Sequence, residues 1–274
     1  MQDWQVRRRF DSEQGEVRWD VVGDGPPLVL VHGTPFSSAV WRPVREALAR
    51  RFTVYVWDLA GYGASAKFDG QDVSLAAQAR ILAGLLDHWG LDRPAVVGHD
   101  FGGAIALRAL LLEHRAIHRL VLADAVAVAP WGTGFFRLAK THGDVLQQLP
   151  DPVHDGLVCG YVAWAAHHPL PDRVVAEFAR PWAGEVGKAA LYRQVAQNGQ
   201  HLTDEIQPRY GEIDVPTLVL WGEEDEWLPL EHGRELARLI PAAELRTFAG
   251  AGHLVQYDAP AAFAAEIIEF CSAM

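Results

Sequence analysis

The stretch with the sharpest chemical meaning is Ala95-Val96-Val97-Gly98-His99-Asp100-Phe101-Gly102-Gly103. A short β-branched run meets Gly-x-x-x-Gly, and an Ala/Leu-rich helical pattern follows from Ala104. Small residues at that spacing let a strand pass through a tight turn into a helix, with the middle residue pushed out at the bend. When such a turn carries serine, in Gly-x-Ser-x-Gly, the hydroxyl attacks a carbonyl carbon once a base removes its proton. Here the apex is Asp100. A carboxylate is already anionic at neutral pH and needs no activation. It is suited to displacing a leaving group from saturated carbon, in an epoxide or a carbon–halogen bond, leaving an alkyl ester on the enzyme. The plainer alternative is an ordinary strand-to-helix turn with Asp100 as a helix N-cap. A serine-type esterase does not fit, because no serine stands at the apex.

Something must hold that apex in place, and the bulk of the chain bounds what it is. The 274 residues, half of them hydrophobic, suffice for one large α/β domain or a core with a modest insertion. Acidic residues outnumber basic ones, 35 to 24, for a net charge of -11, which argues against a nucleic-acid partner. Arg7-Arg8-Arg9 reads as a solvated strand face. Cys159 and Cys271 lie far apart without metal-ligand spacing, so neither a disulfide framework nor a zinc site is expected. No signal-peptide pattern opens the chain and no stretch reaches membrane-spanning length, so a cytoplasmic protein without a membrane partner is expected.

Along the chain, residues 6–10 and 16–22 read as an antiparallel pair. Residues 27–32 form a continuous apolar run, the mark of a strand covered on both faces. Further strands are expected at 52–57, 95–99, 119–124, 216–221 and 244–248. Helices are expected at 41–50, 74–89, 101–114, 231–239 and 259–271. Alternation of this kind predicts a doubly wound, mostly parallel sheet. The glycine-rich Asp58-Leu59-Ala60-Gly61-Tyr62-Gly63 lacks the Gly-Lys-Ser/Thr of a phosphate loop. From Trp131 to Tyr210 the rhythm breaks into aromatic, Ala-rich helical segments separated by prolines. Residues 131–210 are therefore read as a helical cap, and 1–130 with 211–274 as the core domain.

Three motifs in order, His32-Gly33-Thr34-Pro35, Gly98-His99-Asp100-Phe101-Gly102-Gly103 and Gly250-Ala251-Gly252-His253, make the core resemble the α/β-hydrolases. The similarity is to the branch of epoxide hydrolases, haloalkane dehalogenases and haloacetate dehalogenases. That resemblance implies an α/β-hydrolase fold, an eight-stranded mostly parallel sheet with an inserted cap. It implies Asp100 as nucleophile and His253 as the base that activates water against the ester, a task suited to an imidazole near neutral pH. The base needs a carboxylate to fix its tautomer. The family uses two positions for it: Asp225, after the penultimate strand, is the first candidate, and Asp124, after the strand following the elbow helix, the alternative. The backbone N–H groups of Phe101 and Thr34 stand where the family places its oxyanion hole, and the Thr34–Pro35 bond is expected to be cis. His32 and His99 are read as structural groups.

Epoxide-opening relatives set cap tyrosines over the nucleophile. Tyr192, in Ala190-Leu191-Tyr192-Arg193, is the first choice and Tyr161 the second. Pro35, Phe36, Trp131, Trp164 and Trp182 are the expected pocket residues; the indoles of Trp164 and Trp182 are candidate halide donors. Phe101 stands where haloalkane dehalogenases usually carry Trp and haloacetate dehalogenases Arg, and Thr34 where epoxide hydrolases often carry Trp. The expected function is thus a hydrolase without cofactor or metal that opens a small apolar epoxide to a vicinal diol. Haloalkane or haloacetate dehalogenation is the alternative, and a catalytically silent binding protein of the same fold the remote one. A monomer or homodimer is expected.

Overall fold

The computed structural model describes residues 4–241 and 243–272. Its centre is one eight-stranded sheet ordered β1-β2-β4-β3-β5-β6-β7-β8. The strands are β1 (Arg8–Ser12), β2 (Gly15–Val22), β3 (Pro27–Val31), β4 (Thr53–Trp57), β5 (Ala95–His99), β6 (Arg119–Ala123), β7 (Thr217–Gly222) and β8 (Ala243–Phe248). From β4 through β8 every pairing is parallel; β2 alone runs against both its neighbours. This is the sheet that the apolar runs predicted. Leu28 to Val31, Val96, Val97 and Leu120 to Ala123 are all fully buried because helices cover both faces. At the β8 edge the pattern changes to Glu244, Arg246 and Thr247, charged or polar and exposed, which blunts an open edge.

Core helices α1 (Arg42–Ala49), α2 (Leu75–Trp89) and α3 (Phe101–Leu111) connect the first strands. Helix α2 starts where the Ser74 side chain accepts the Ala77 N–H, and stops at Gly90, whose φ of 67° is the left-handed cap glycine tolerates. Between β6 and β7 come only helices: α4 (Gly134–Leu146), α5 (Asp151–Trp164), α6 (Asp172–Ala179), α7 (Gly184–Gln197), the single turn α8 (His201–Asp204) and short 3-10 turns. Helices α9 (Leu230–Leu239), α10 (Val255–Asp258) and α11 (Pro260–Ser272) complete the core.

The helical insertion is pinned to the core by directed bonds. Trp182 Nε1–H donates to the Pro35 carbonyl at 2.6 Å, Tyr62 O–H to Gln194 at 2.9 Å, and Trp131 Nε1–H to Thr203 at 2.8 Å. Arg42 pairs with Glu177 at 2.5 Å. Among the described residues no helix is long and apolar enough to cross a membrane.

Candidate active site

The turn between β5 and α3 puts Asp100 at φ 53° and ψ −121°, a conformation an L residue adopts only when its surroundings force it. The surroundings are glycines that admit no side chain. A Cβ on Gly98 would lie 2.4 Å from the Gly102 carbonyl oxygen, and one on Gly102 would lie 2.0 Å from that of Val31. A Cβ on Gly33 would strike the Asp100 carboxylate at 2.1 Å. Backbone bonds fix the bend: Asp100 N–H donates to the Ala123 carbonyl at 3.2 Å, and Val126 N–H to the Asp100 carbonyl at 3.1 Å.

Asp100 is not spent as an N-cap, for its side chain makes no capping bond to α3. Its Oδ1 instead accepts the Thr34 N–H at 2.7 Å. Thr34 sits after β3 beside a cis Thr34–Pro35 bond, as the resemblance implied; Ala129–Pro130 is also cis. The Phe101 N–H opens α3, where the first N–H groups of a helix have no partner within it.

His253 follows β8 and is fully buried. Its Nε2 stands 3.5 Å from Asp100 Oδ2, and its Nδ1–H donates to Asp225 Oδ2 at 2.9 Å. Asp225 Oδ1 accepts the N–H groups of Trp227 and Leu228, at 2.7 and 2.9 Å, so this carboxylate is held at both oxygens. Burial alone would lower the pKa of His253, but the charge of Asp225 and the contacts with Asp100 outweigh it and hold the pKa well above the usual histidine value. Its place between two carboxylates thus favours the charged form of the imidazole.

His32 and His99 bind backbone. Leu59 N–H donates to His32 Nε2, so His32 Nδ1 carries the proton given to the Gly33 carbonyl. His99 Nε2–H donates to the carbonyl of His253 at 2.8 Å and so holds the loop on which His253 rides. Burial keeps the pKa of both below the usual value.

Asp100 opens into a small cavity of about 20 Å³. Thr34, Phe101, Trp131, Phe136, Tyr161 and Trp227 make most of its wall, and neither lysine nor arginine lines it. Tyr161, from α5, stacks on Trp227 with ring centroids 4.3 Å apart and pairs with Thr133 Oγ1 at 3.0 Å. Thr133 Oγ1 already accepts the Phe136 N–H. Either hydroxyl can be the donor in that pair, and when Thr133 gives its hydrogen to Tyr161 the phenolic hydrogen is free for the cavity. Burial raises the pKa of Tyr161 above that of a free phenol, so it stays a neutral donor.

Other expected pocket residues stand elsewhere. Tyr192 faces the interior of the insertion: its hydroxyl lies 3.2 Å from His154 Nδ1 and its ring packs over Gly143. It does not line the Asp100 cavity, because the turn of α7 that carries it faces α4 and α5. Trp164 is 42% exposed in an outer groove, its indole N–H given to Glu226 at 2.5 Å. Trp182 spends its N–H on Pro35, and Phe36 packs behind His253 against Phe178. The motifs gave no sign of Thr133, Phe136 or Trp227. Only Trp227 had a usable signal, two residues beyond Asp225. Its indole N–H is buried without an acceptor among the described residues, and its ring stacks on His253 at 4.9 Å. No group of three His, Cys, Asp or Glu side chains among the described residues could hold a metal ion.

Known proteins share this arrangement of chain. The crystal structure of an alpha/beta hydrolase fold protein from Burkholderia ambifaria matches with a TM-score of 0.94 at 44% identity, over 97% of this chain and 98% of that one. Haloalkane dehalogenase 2 of Mycobacterium tuberculosis is 28% identical over 274 residues, 96% of this chain and 93% of its own. A 2-hydroxy-6-oxo-2,4-heptadienoate hydrolase of Pseudomonas putida is 31% identical over 261 residues, 92% of this chain and 91% of its own. The sequence profile of the alpha/beta hydrolase fold matches residues 26–260. Because that match runs from the residue before β3 to the first residue of α11, the chain belongs to the alpha/beta hydrolase fold family.

Proposed function

We propose that the protein hydrolyses small, uncharged epoxides through an ester on Asp100. The observation that carries this reading is the placement of the Asp100 carboxylate, with Oδ1 on the Thr34 N–H and Oδ2 facing His253. One oxygen held by a backbone donor and the other before the imidazole, on a residue that lines the cavity, is the arrangement that supports an attacking carboxylate. In the first step Oδ2 bonds to a ring carbon and the carbon–oxygen bond breaks. Tyr161, its own hydrogen free when Thr133 donates in their pair, protonates the departing oxygen.

Ester formation removes the negative charge of Asp100, one of the influences holding the proton on His253. With that charge gone His253 gives up its proton, which returns to the Tyr161 phenolate, and the imidazole stands neutral at the stage that needs a base. Neutral His253 takes a proton from water, the hydroxide attacks the Asp100 carbonyl carbon, and the oxyanion develops on Oδ1 against Thr34 and Phe101 N–H. Collapse releases the diol and restores the carboxylate. Asp225 holds the ring and supports its charge throughout. The absence of a lysine or arginine from the wall supports an uncharged substrate and speaks against a haloacetate.

A haloalkane is the second reading, favoured by the unpaired indole N–H of Trp227 and by the dehalogenase relative. The other candidate donors, Trp131, Trp164 and Trp182, have their N–H groups bonded within the protein. Propylene oxide, styrene oxide, 1-bromopropane and bromoacetate, assayed for diol and for halide, separate the two readings. Diol from the smaller epoxide is expected; halide release without diol would reverse the order. In His253→Gln the first step proceeds and the second stalls, so the substrate's mass appears on the peptide containing Asp100. No adduct with any substrate would favour the silent binding protein.

A further inference from the structure

The two carboxyls that compete for one role in the sequence stand side by side in the fold. Asp124 follows β6, Asp225 follows β7, and those strands are parallel neighbours with Ala123 opposite Leu220. Asp124 is fully buried at a φ of 41°, tied by its N–H to the Leu220 carbonyl at 3.0 Å. Its Oδ1 accepts the Gly222 N–H at 2.8 Å. Its Oδ2, equally buried, receives no donor among the described residues. Asp225 is the opposite case, with its oxygens taking N–H groups from Trp227, Leu228 and His253.

Two adjacent carboxyls shut away from water do not both ionise, and a neutral carboxyl has a hydrogen to give where an ionised one has none. We infer that Asp124 is a neutral carboxylic acid whose Oδ2–H donates to Asp225, making Asp124 a positioning residue for the carboxylate that orients His253. Burial and the charge of Asp225 raise the pKa of Asp124 well above the usual carboxyl value, against the opposing pull of His253 and the Gly222 N–H. The ionisable groups acting on it are those two, Asp225 from the loop after β7 and His253 from the loop after β8. One proton thus serves two ends. It gives the orphaned oxygen a partner, and it spares the cluster a third negative charge beside Asp100 and Asp225.

This inference rests on Asp225 as the partner of His253 but on no particular substrate, so its test needs none. In protein labelled with [13C]aspartate, carboxyl carbons are titrated by NMR without ligand. One aspartate is expected to remain in its acid form at pH 7. Asp124→Asn removes that signal, and Asp225→Asn lowers its midpoint by removing the neighbouring charge. Should Asp124→Asn fail to fold, the wild-type and Asp225→Asn titrations decide. The ring nitrogens of His253, followed in Asp124→Asn, lose their proton at the wild-type pH because the substitution removes no charge. A protein with every aspartate ionised at pH 7 would overturn the inference. So would an acid signal that survives Asp124→Asn, or a midpoint unmoved by Asp225→Asn. A His253 titration moved to lower pH in Asp124→Asn would overturn it as well, by showing that Asp124 carries charge.

Discussion

Two tyrosines of the insertion divide cleanly by what their hydroxyls touch. Tyr161 lines the cavity above Asp100, whereas Tyr192 pairs with buried His154 on the far side of the insertion. On an epoxide substrate, Tyr161→Phe should lower kcat by about a hundredfold, the scale of a lost general acid. Tyr192→Phe should change kcat less than about threefold while costing about 1 kcal/mol of stability for the bond to His154. Steady-state kinetics beside urea denaturation check both, and the reverse ranking would restore Tyr192 to the site. Two residues also make stability pH-dependent with one sign. The folded pKa of His253 is raised, so its contribution is complete below the unfolded value of about 6.5 and is lost as pH rises through the folded one. Asp124 is raised too, so its proton favours the fold below about 3.9 and that benefit fades as pH rises through its folded value. Denaturant midpoints should therefore fall from neutral into alkaline pH, and His253→Gln should flatten that slope; a slope unchanged in the variant would contradict the assignment.

Among elements, the turn from β5 into α3 is the least tolerant. Gly98→Ala should cost more than about 3 kcal/mol, because its Cβ meets backbone that has nowhere to go. Gly134→Ala, at the first residue of α4 with nothing within 4 Å of a Cβ, should be neutral or stabilising. Equilibrium unfolding of the pair tests this, and equal tolerance would mean that the bend does not depend on bare backbone contact. The contrast explains what could be read from residues alone. The turn, the loop of His253 and the loop of Asp225 are set by local backbone chemistry, so glycines at fixed spacing announce them. The rotation of α5 and α7 about their axes is set by packing between helices. Tyr161 and Tyr192 therefore looked alike in the chain, and the one preferred there proved to face inward.

For the molecule as a whole, the sheet order carries information that no single motif holds. That Asp124 and Asp225 are neighbours follows from β6 lying beside β7, a relation between segments separated by the whole helical insertion. Between β6 and β7 the described elements are all helical, and how firmly those helices sit is set by contacts that no motif announces. The bond from Trp182 to the Pro35 carbonyl lies next to the Thr34 N–H that holds Asp100. Trp182→Phe strips that carbonyl of its buried donor and should cost about 1–3 kcal/mol. It should also raise amide hydrogen exchange in α6 and α7 relative to β5 and β6. Exchange unchanged in those helices would mean that the insertion is held by other contacts.

Everything proposed for catalysis depends on a covalent bond from Asp100 to the substrate. A single turnover in H2(18)O, with enzyme in excess over epoxide, tests it directly. Unlabelled diol and one atom of 18O in the peptide containing Asp100 are expected. Label in the diol with none in that peptide would show that water attacks the substrate itself, and would contradict the proposed bond.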